Sequence, residues 1–214
     1  MASTLIKQST SNFGKINPLK SVLMVCDVQE RFRNLIYHMP TVIETSRHLI
    51  AACRELNVPC IVTEQNQRVF LSTVEELKIG ANKSHQAIPV FHKQQFSMFT
   101  PEVKSHLMKL NEGKKDTVVI CGIEAHVCVL QTCLDLLEEG FNVHVVADGI
   151  SSQRQLDRSI AIRRLQQVGA YITTSESLIF QLLGSADHPK FKLVSALVKE
   201  HNKSEHQGFA NIDL

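Results

Sequence analysis

The sequence has 214 residues, of which 43% are hydrophobic, and this is enough to bury the core of one compact domain. A formal charge of only +2, with two Tyr and no Trp, gives no support for a nucleic-acid partner. No apolar run reaches the roughly 18 residues of a membrane span. The six cysteines include no C-x-x-C pair, so we expect a soluble, cytoplasmic protein with reduced thiols.

The amino-terminal segment differs in composition from the rest of the chain. Residues 1–20 are rich in Ser and Thr, carry lysines and contain no acidic residue. This composition faintly resembles a transit peptide that would direct the chain to the mitochondrion, but transit peptides are rich in arginine and this segment has none. We therefore predict a disordered leader over residues 1–17, one folded domain over residues 18–200 and a flexible tail over residues 201–214.

Short β-branched runs alternate along the chain with longer segments of helical period, which is typical of a parallel sheet covered by helices on both faces. The pattern predicts strands near residues 22–26, 60–63, 89–92, 117–121, 143–147 and 170–173. It predicts helices over residues 41–56, 102–110, 125–138, 156–167, 175–183 and 191–200. Residues 64–86 are the least regular part, with one short helix at 72–77, and we interpret them as a lid or a partner-contact loop.

Three chemically useful residues follow predicted strands. Asp27 comes directly after the first strand, Lys93 after the third, and Cys128 shortly after the fourth. Ligands of open parallel sheets bind in the crevice beyond the carboxyl ends of the strands. If these strands are neighbours, a carboxylate, an ammonium and a thiol meet in one pocket.

These three groups together favour nucleophilic catalysis. A thiol in the first turn of a helix feels unpaired N–H groups and the positive end of the helix dipole, and both favour the thiolate. A carboxylate within hydrogen-bond distance can take the thiol proton, and an ammonium stabilises the nearby negative charges. The backbone N–H groups around residues 122–128 are candidate donors to the oxyanion that forms when the thiolate attacks a carbonyl.

Each of these residues also has a purely structural interpretation. Asp27 fits a helix cap or a turn, Lys93 a solvated surface lysine and Cys128 a core residue. Around the fifth predicted helix, Arg154, Arg158, Arg163 and Arg164 fit either a solvated face or an anion site. The other five thiols are interpreted as buried fillers, at Cys26, Cys53, Cys60, Cys121 and Cys133.

Several stretches of the chain resemble the isochorismatase-like cysteine hydrolase superfamily, which includes nicotinamidases and N-carbamoylsarcosine amidohydrolases. The resemblance is closest to its isochorismatase-domain proteins of unassigned substrate. It covers nearly the whole predicted core and is specific for the superfamily, but not for a substrate. The matching stretches are VLMVCDVQERF (22–32), VTEQN (62–66), FHKQQFSMF (91–99), CGIEAHVCVLQTCLDLLEEGFNVHVVADGISS (121–152) and SADHPKFK (185–192).

This resemblance implies a three-layer α-β-α, Rossmann-like isochorismatase fold whose six-stranded parallel sheet has the order 3-2-1-4-5-6. It implies Asp27 as general base, Lys93 as its charged partner and Cys128 as nucleophile. It also implies a cis peptide bond between Ile123 and Glu124, with the backbone N–H groups of Glu124 and Cys128 as the oxyanion hole. The expected substrate pocket is lined by Gln29, Phe32, Phe96 and His126.

One departure from the superfamily concerns metal binding. Nicotinamidases carry an Asp-x-His motif after the second strand, whereas the corresponding stretch here is Thr63-Glu64-Gln65-Asn66-Gln67. We therefore predict no metal and no cofactor, and nicotinamide becomes a doubtful substrate. True isochorismatases need no cysteine, so the presence of Cys128 favours amide, carbamoyl or related acyl substrates.

The leading hypothesis is thus a cofactor-independent cysteine hydrolase that acts on a small amide or carbamoyl compound through a covalent acyl-enzyme. We expect a small-molecule substrate, a homo-oligomer, and neither a nucleic-acid nor a membrane partner. One alternative is a non-catalytic, oligomeric binding or scaffold protein with the same fold. Another is nucleic-acid binding or cleavage, which the near-neutral charge does not favour.

Overall fold

Six parallel strands form a single sheet in the computed structural model, which describes residues 13–80 and 85–204. Their order is 3-2-1-4-5-6, which confirms the predicted topology. β2 and β5 continue beyond their predicted ends. The strands are β1 (Ser21–Cys26), β2 (Cys60–Gln65), β3 (Val90–Lys93), β4 (Thr117–Ile123), β5 (Asn142–Ser151) and β6 (Tyr171–Thr173).

Helices cover both faces of this sheet and complete the three predicted layers. The first, sixth and seventh helices share one core cluster, and the third, fourth and fifth share the other. The predicted helix bounds differ from the observed ones by a few residues. The helices are α1 (Met39–Glu55), α2 (Gln67–Phe70), α3 (Pro101–Lys109), α4 (Leu130–Glu138), α5 (Gln155–Gln167), α6 (Ser175–Leu183) and α7 (Phe191–His201).

The side chains of β1 alternate between the two cores. Leu23 and Val25 pack into the core beneath α1, and Val22 and Met24 pack into the opposite core. All six residues of the strand are buried. Because both faces of a parallel sheet are covered, its central strands are apolar throughout and show no polar alternation.

The predicted short helix at residues 72–77 is confirmed only in its second half. The chain forms α2 and then a 3₁₀ turn at Glu75–Leu77. Residues 72–74 are not helical, because Thr73 forms an isolated β-bridge with Gln29 and Val74 has an extended backbone. Two positions around the 3₁₀ turn, Val74 and Leu77, are buried, so this segment packs onto the domain.

A register shift between β4 and β5 explains the burial of Arg158. Ile120 pairs with Val145, but Gly122 pairs with Ile150, so β5 carries extra residues between these two pairs. Arg158 Nε donates to the Ile150 carbonyl at 2.9 Å, and its Nη2 donates to the carbonyl of Ala147. Burial lowers the pKa of this guanidinium to about 10. For Arg158 the solvated-face and anion-site interpretations are therefore both wrong, because the side chain satisfies carbonyls of the irregular strand.

The two ends of the chain are described only in part. Residues 1–12 of the predicted leader lie outside the described residues, whereas Ile16, near its end, is buried in the core. Residues 205–214 of the predicted tail also lie outside them, and His201, where that tail was predicted to start, is the last residue of α7. Across residues 13–80 and 85–204, no helix combines the length and hydropathy that a membrane span requires.

Candidate active site

The strand order determines where the candidate site lies. β1 pairs with β2 on one side and β4 on the other, so the direction of winding reverses between β1 and β4. The crevice at such a reversal is the usual ligand site of an open parallel sheet. Cys26 at the end of β1 pairs with Gly122 of β4, and Asp27 follows directly with a φ of +51°.

The Asp27 carboxylate is buried and has a partner on each oxygen. Its Oδ1 accepts a hydrogen bond from Thr63 Oγ1 at 2.7 Å. Its Oδ2 accepts one from Lys93 Nζ at 2.7 Å and faces Cys26 Sγ at 3.6 Å. Charge-assisted bonds of this length orient a carboxylate firmly.

Lys93 is the last residue of β3 and is buried, so it is not a solvated surface lysine. Besides Asp27, its ammonium donates to Gln65 Oε1 at 2.7 Å and to the Phe96 carbonyl at 2.8 Å. Burial acts to lower the pKa of this ammonium, but the neighbouring acidic groups of Cys26, Asp27 and Cys128 outweigh it and raise the pKa. The side chain therefore stays charged beside Asp27.

Cys128 lies in a π-helical turn, Ala125–Val129, so the predicted helical start at residue 125 is confirmed, although this turn is π-helical and not α-helical. This turn follows a cis peptide bond between Ile123 and Glu124. It closes through a bond from the Val129 N–H to the Glu124 carbonyl, and α4 begins only at Leu130. Cys128 is 8% exposed, and its Sγ lies within 4.8 Å of both an Asp27 carboxylate oxygen and Cys26 Sγ.

A pocket of about 240 Å³ opens above these groups. Aromatic and aliphatic side chains form most of its wall, and the rings of Phe32 and Phe70 stack with their centroids 4.7 Å apart. No Lys or Arg of the described residues lines it. The lining residues are Asp27, Phe32, Leu35, Gln65, Phe70, Phe96, Ile123, Glu124, Val127, Cys128 and Gln153.

Two of the four predicted pocket residues, Gln29 and His126, do not line this pocket. The buried Gln29 side chain bonds to backbone groups: it donates to the carbonyls of Gln65 and Leu71 and accepts from the Gln65 N–H. His126 Nδ1 lies 2.9 Å from Ser152 Oγ and 3.8 Å from Glu124 Oε2. Both residues therefore support the pocket from outside it.

Sequence reasoning missed three residues around the site. Thr63 and Gln65 are two residues apart in β2, so their side chains point to the same face of the sheet. There Thr63 contacts Asp27, and Gln65 contacts Lys93. The sequence feature that could have identified them is their spacing of two residues within the stretch VTEQN, which places both side chains on one face of the strand. The third is Cys26, whose position directly before Asp27 gave no hint that its sulfur faces the carboxylate.

Within the part of the chain that the structure describes, Cys26, Asp27 and Cys128 form the one group with the spacing of metal ligands. Thiolates and a carboxylate are suitable donors for zinc. However, both Asp27 oxygens already accept hydrogen bonds, and the Lys93 ammonium 2.7 Å from Oδ2 would repel a cation. These residues therefore fit a metal ion poorly.

Replacing Lys93 by Met is expected to lower the free energy of unfolding by about 3–5 kcal/mol, because it leaves the buried Asp27 carboxylate without its counter-charge. Urea denaturation measures the change. The matched control is Lys20→Met, which removes a half-exposed ion pair to Asp116 and should cost about 1 kcal/mol or less. Adding Asp27→Asn to Lys93→Met should recover part of the loss. Equal costs for the two lysine variants would contradict the prediction.

Comparisons with known proteins agree with this fold. The isochorismatase domain model matches residues 21–177. Over 198 residues the chain is 48% identical to the secreted isochorismatase effector Isc1 of Phytophthora sojae, covering 92% of this chain and 93% of that protein. A solved MAR1 ribonuclease from Caenorhabditis elegans is 44% identical, with a TM-score of 0.83 over 94% of this chain and 98% of that chain. The YcaC gene product of Escherichia coli, an octameric hydrolase of unknown specificity, has a similar fold at 22% identity, with a TM-score of 0.78 over 90% and 93% of the two chains.

Proposed function

The chain belongs to the isochorismatase family, and from that premise we propose that it is a cofactor-independent cysteine hydrolase that cleaves the C–N bond of a small amide or carbamoyl compound. One observation carries the proposal. The Cys128 thiol and the Asp27 carboxylate lie within 4.8 Å of each other and both line a pocket, and Lys93 donates a hydrogen bond to Oδ2 of that carboxylate.

In the proposed reaction, Asp27 accepts the Cys128 proton as the sulfur attacks the substrate carbonyl carbon. The backbone N–H groups of Glu124 and Cys128 donate to the oxyanion of the tetrahedral intermediate. Asp27 then passes its proton to the leaving nitrogen, the C–N bond breaks and a thioester remains on Cys128. Water attacks this thioester while Asp27 accepts a proton from it, and the released Cys128 sulfur takes that proton back. Lys93 remains protonated and stabilises the Asp27 carboxylate throughout.

The pocket also limits the substrate. Its volume of about 240 Å³ accommodates only a small molecule. Two carboxylate side chains, Asp27 and Glu124, line it, and none of the described lining residues is a Lys or an Arg. A dianion such as isochorismate would meet like charges there and find no partner. An uncharged or cationic substrate with an apolar portion fits the aromatic wall better.

Thiol reactivity tests the proposal. With iodoacetamide at pH 7, Cys128 should be alkylated at least roughly tenfold faster than the other five cysteines, because the thiolate is the reacting form and none of the others lines the pocket. Mass spectrometry of digested protein measures each site. Cys133 is the internal control, since burial raises the pKa of its thiol. Asp27→Asn should slow the reaction of Cys128 alone. Equal rates at all six thiols would favour the scaffold alternative.

RNA cleavage is a second candidate, because the chain is 44% identical to a solved MAR1 ribonuclease. Cleaving a phosphodiester requires stabilisation of anionic phosphate oxygens, usually by cations. In the described part of the chain, no Lys or Arg lines the pocket, and the Lys93 ammonium already donates to Asp27 and Gln65. We therefore expect purified protein to leave a single-stranded RNA oligonucleotide intact on gel analysis. Cleavage that Cys128→Ala abolishes would overturn this expectation and replace the amide proposal.

A further inference from the structure

A second thiol lies beside Cys128. Cys26 ends β1 and is completely buried, with its Sγ 3.6 Å from Asp27 Oδ2 and within 4.8 Å of Cys128 Sγ. The Asp27 carboxylate therefore faces two cysteines. Interpreting Cys26 as a core filler accounts for its burial, but not for its contact with the acid.

We propose that Cys26 is a resolving cysteine: after a hydroperoxide oxidises Cys128, Cys26 forms an intramolecular disulfide with it and switches the site off reversibly. The inference rests on the proposed function, because it requires a reactive Cys128 thiolate. It adds a modification site and a form of regulation to that function.

The chemistry balances with hydrogen peroxide as the oxidant. The Cys128 thiolate attacks one peroxide oxygen, the O–O bond breaks, and Cys128 becomes a sulfenic acid. The hydroxide released takes the proton that Asp27 removed from Cys128 and becomes water. Cys26 then attacks the Cys128 sulfur, and an S–S bond replaces the S–O bond. Asp27 accepts the Cys26 proton and passes it to the departing hydroxide, which leaves as a second water. A dithiol reductant reverses the change and is itself oxidised to a disulfide.

The different exposure of the two thiols determines the order of events. Cys128 is 8% exposed and lines the pocket, whereas Cys26 is 0% exposed and lies behind it. Peroxide therefore reaches Cys128 first. Burial, then the Cys128 thiol and the Asp27 carboxylate, raise the pKa of Cys26 well above its ordinary value. Cys26 thus stays protonated and unreactive until a sulfenic acid forms beside it.

The distance between the sulfurs also suits the exchange. They lie within 4.8 Å of each other, so forming a bond of about 2.05 Å requires their combined approach by no more than about 3 Å. Once formed, the disulfide removes the nucleophile from the pocket. It also keeps Cys128 from further oxidation to a sulfinic acid, which reductants do not reverse.

The chain provides a matched control pair. Cys53 on α1 and Cys60 on β2 are a second pair of free, buried thiols, and Cys60 is close enough to raise the pKa of Cys53. Neither residue lines the pocket. Removing a thiol from this pair should therefore not change the response of Cys128 to peroxide.

The test uses the full-length protein, treated with graded hydrogen peroxide, blocked with N-ethylmaleimide and digested without reduction. We expect a Cys26–Cys128 linked peptide in the wild type and in Cys53→Ala. After dithiothreitol, both should regain the rapid alkylation of Cys128. Cys26→Ala should instead accumulate Cys128 sulfinic acid and regain roughly tenfold less. Cys26→Ser, which keeps the side-chain volume, should behave as Cys26→Ala does.

Two outcomes would overturn the inference alone: sulfinic acid on wild-type Cys128 without a cross-link, or cross-linking of Cys53 to Cys60 as readily as Cys26 to Cys128. Alkylation before peroxide is added tests the proposed function separately. If Cys128 is already slow to alkylate in the untreated protein, the proposed function fails, and the resolving role fails with it.

Discussion

Cys128→Ala is expected to lower kcat/KM for any amide or carbamoyl substrate of this protein by roughly 10⁴-fold or more, because no other thiol lines the pocket. The Asp27–Lys93 ion pair does not involve Cys128, so the base is still present in this variant. The remaining thiol beside it, Cys26, is completely buried and does not line the pocket. A screen of small amides, carbamoyl compounds and esters first identifies a substrate for the wild type. Steady-state kinetics on that substrate then measures the loss, and mass spectrometry should show no acyl adduct on the variant.

The control for this prediction is Cys133→Ala. Cys133 is completely buried in α4 and lies outside the pocket, so its removal should affect stability but not turnover. Circular dichroism and thermal melting should show that Cys128→Ala is folded. Hydrolysis by this folded variant at a rate near that of the wild type would eliminate the proposed mechanism.

Gly122→Ala is expected to destabilise the domain by at least about 4–5 kcal/mol, enough to unfold a marginally stable protein. A Cβ at this position would lie 2.1 Å from the Cys26 carbonyl oxygen and 2.6 Å from the Cys26 nitrogen. Both atoms belong to the backbone of β1, so no side-chain movement relieves the clash. The φ of +111° also disfavours any residue with a side chain.

Gly140→Ala is the matched control for this substitution. Gly140 also has a positive φ, at +86°, but a Cβ there would have no atom within 4 Å. Its cost should be limited to the conformational strain, about 1–2 kcal/mol. Urea denaturation of soluble protein, or the yield of soluble protein if Gly122→Ala does not fold, compares the two. Similar stabilities would show that β1 moves away from β4 without penalty.

Local sequence patterns predicted the framework of this protein well. The apolar runs around residues 22–26 and 117–121 located the central strands, and the strand order followed from the family resemblance. Asp27, Lys93 and Cys128 were recognisable because each stands near the end of a strand, where the chain must turn towards the crevice. The roles proposed for them, the homo-oligomeric state and the cytoplasmic location remain predictions.

The interactions that a single sequence could not reveal depend on strand register and tertiary packing. Thr63 meets Asp27 only because β2 lies beside β1 in one particular alignment. Arg158 is buried only because β5 is irregular opposite β4. Gln29 was predicted to line the pocket. No local sequence pattern shows that its amide instead bonds to the backbone of Gln65 in β2.

The Gln29 contacts separate substrate choice from the integrity of the fold. Its amide holds the carbonyl of Leu71 next to Phe70, whose ring forms part of the pocket wall. Gln29 therefore restrains this backbone in addition to the stacking of the Phe70 ring on Phe32. A conservative substitution at Phe70 or Phe96 is therefore expected to reshape the pocket wall while Asp27, Lys93 and Cys128 keep their positions. The substrate then depends on side chains that the fold does not determine, so membership of the family does not by itself identify the substrate.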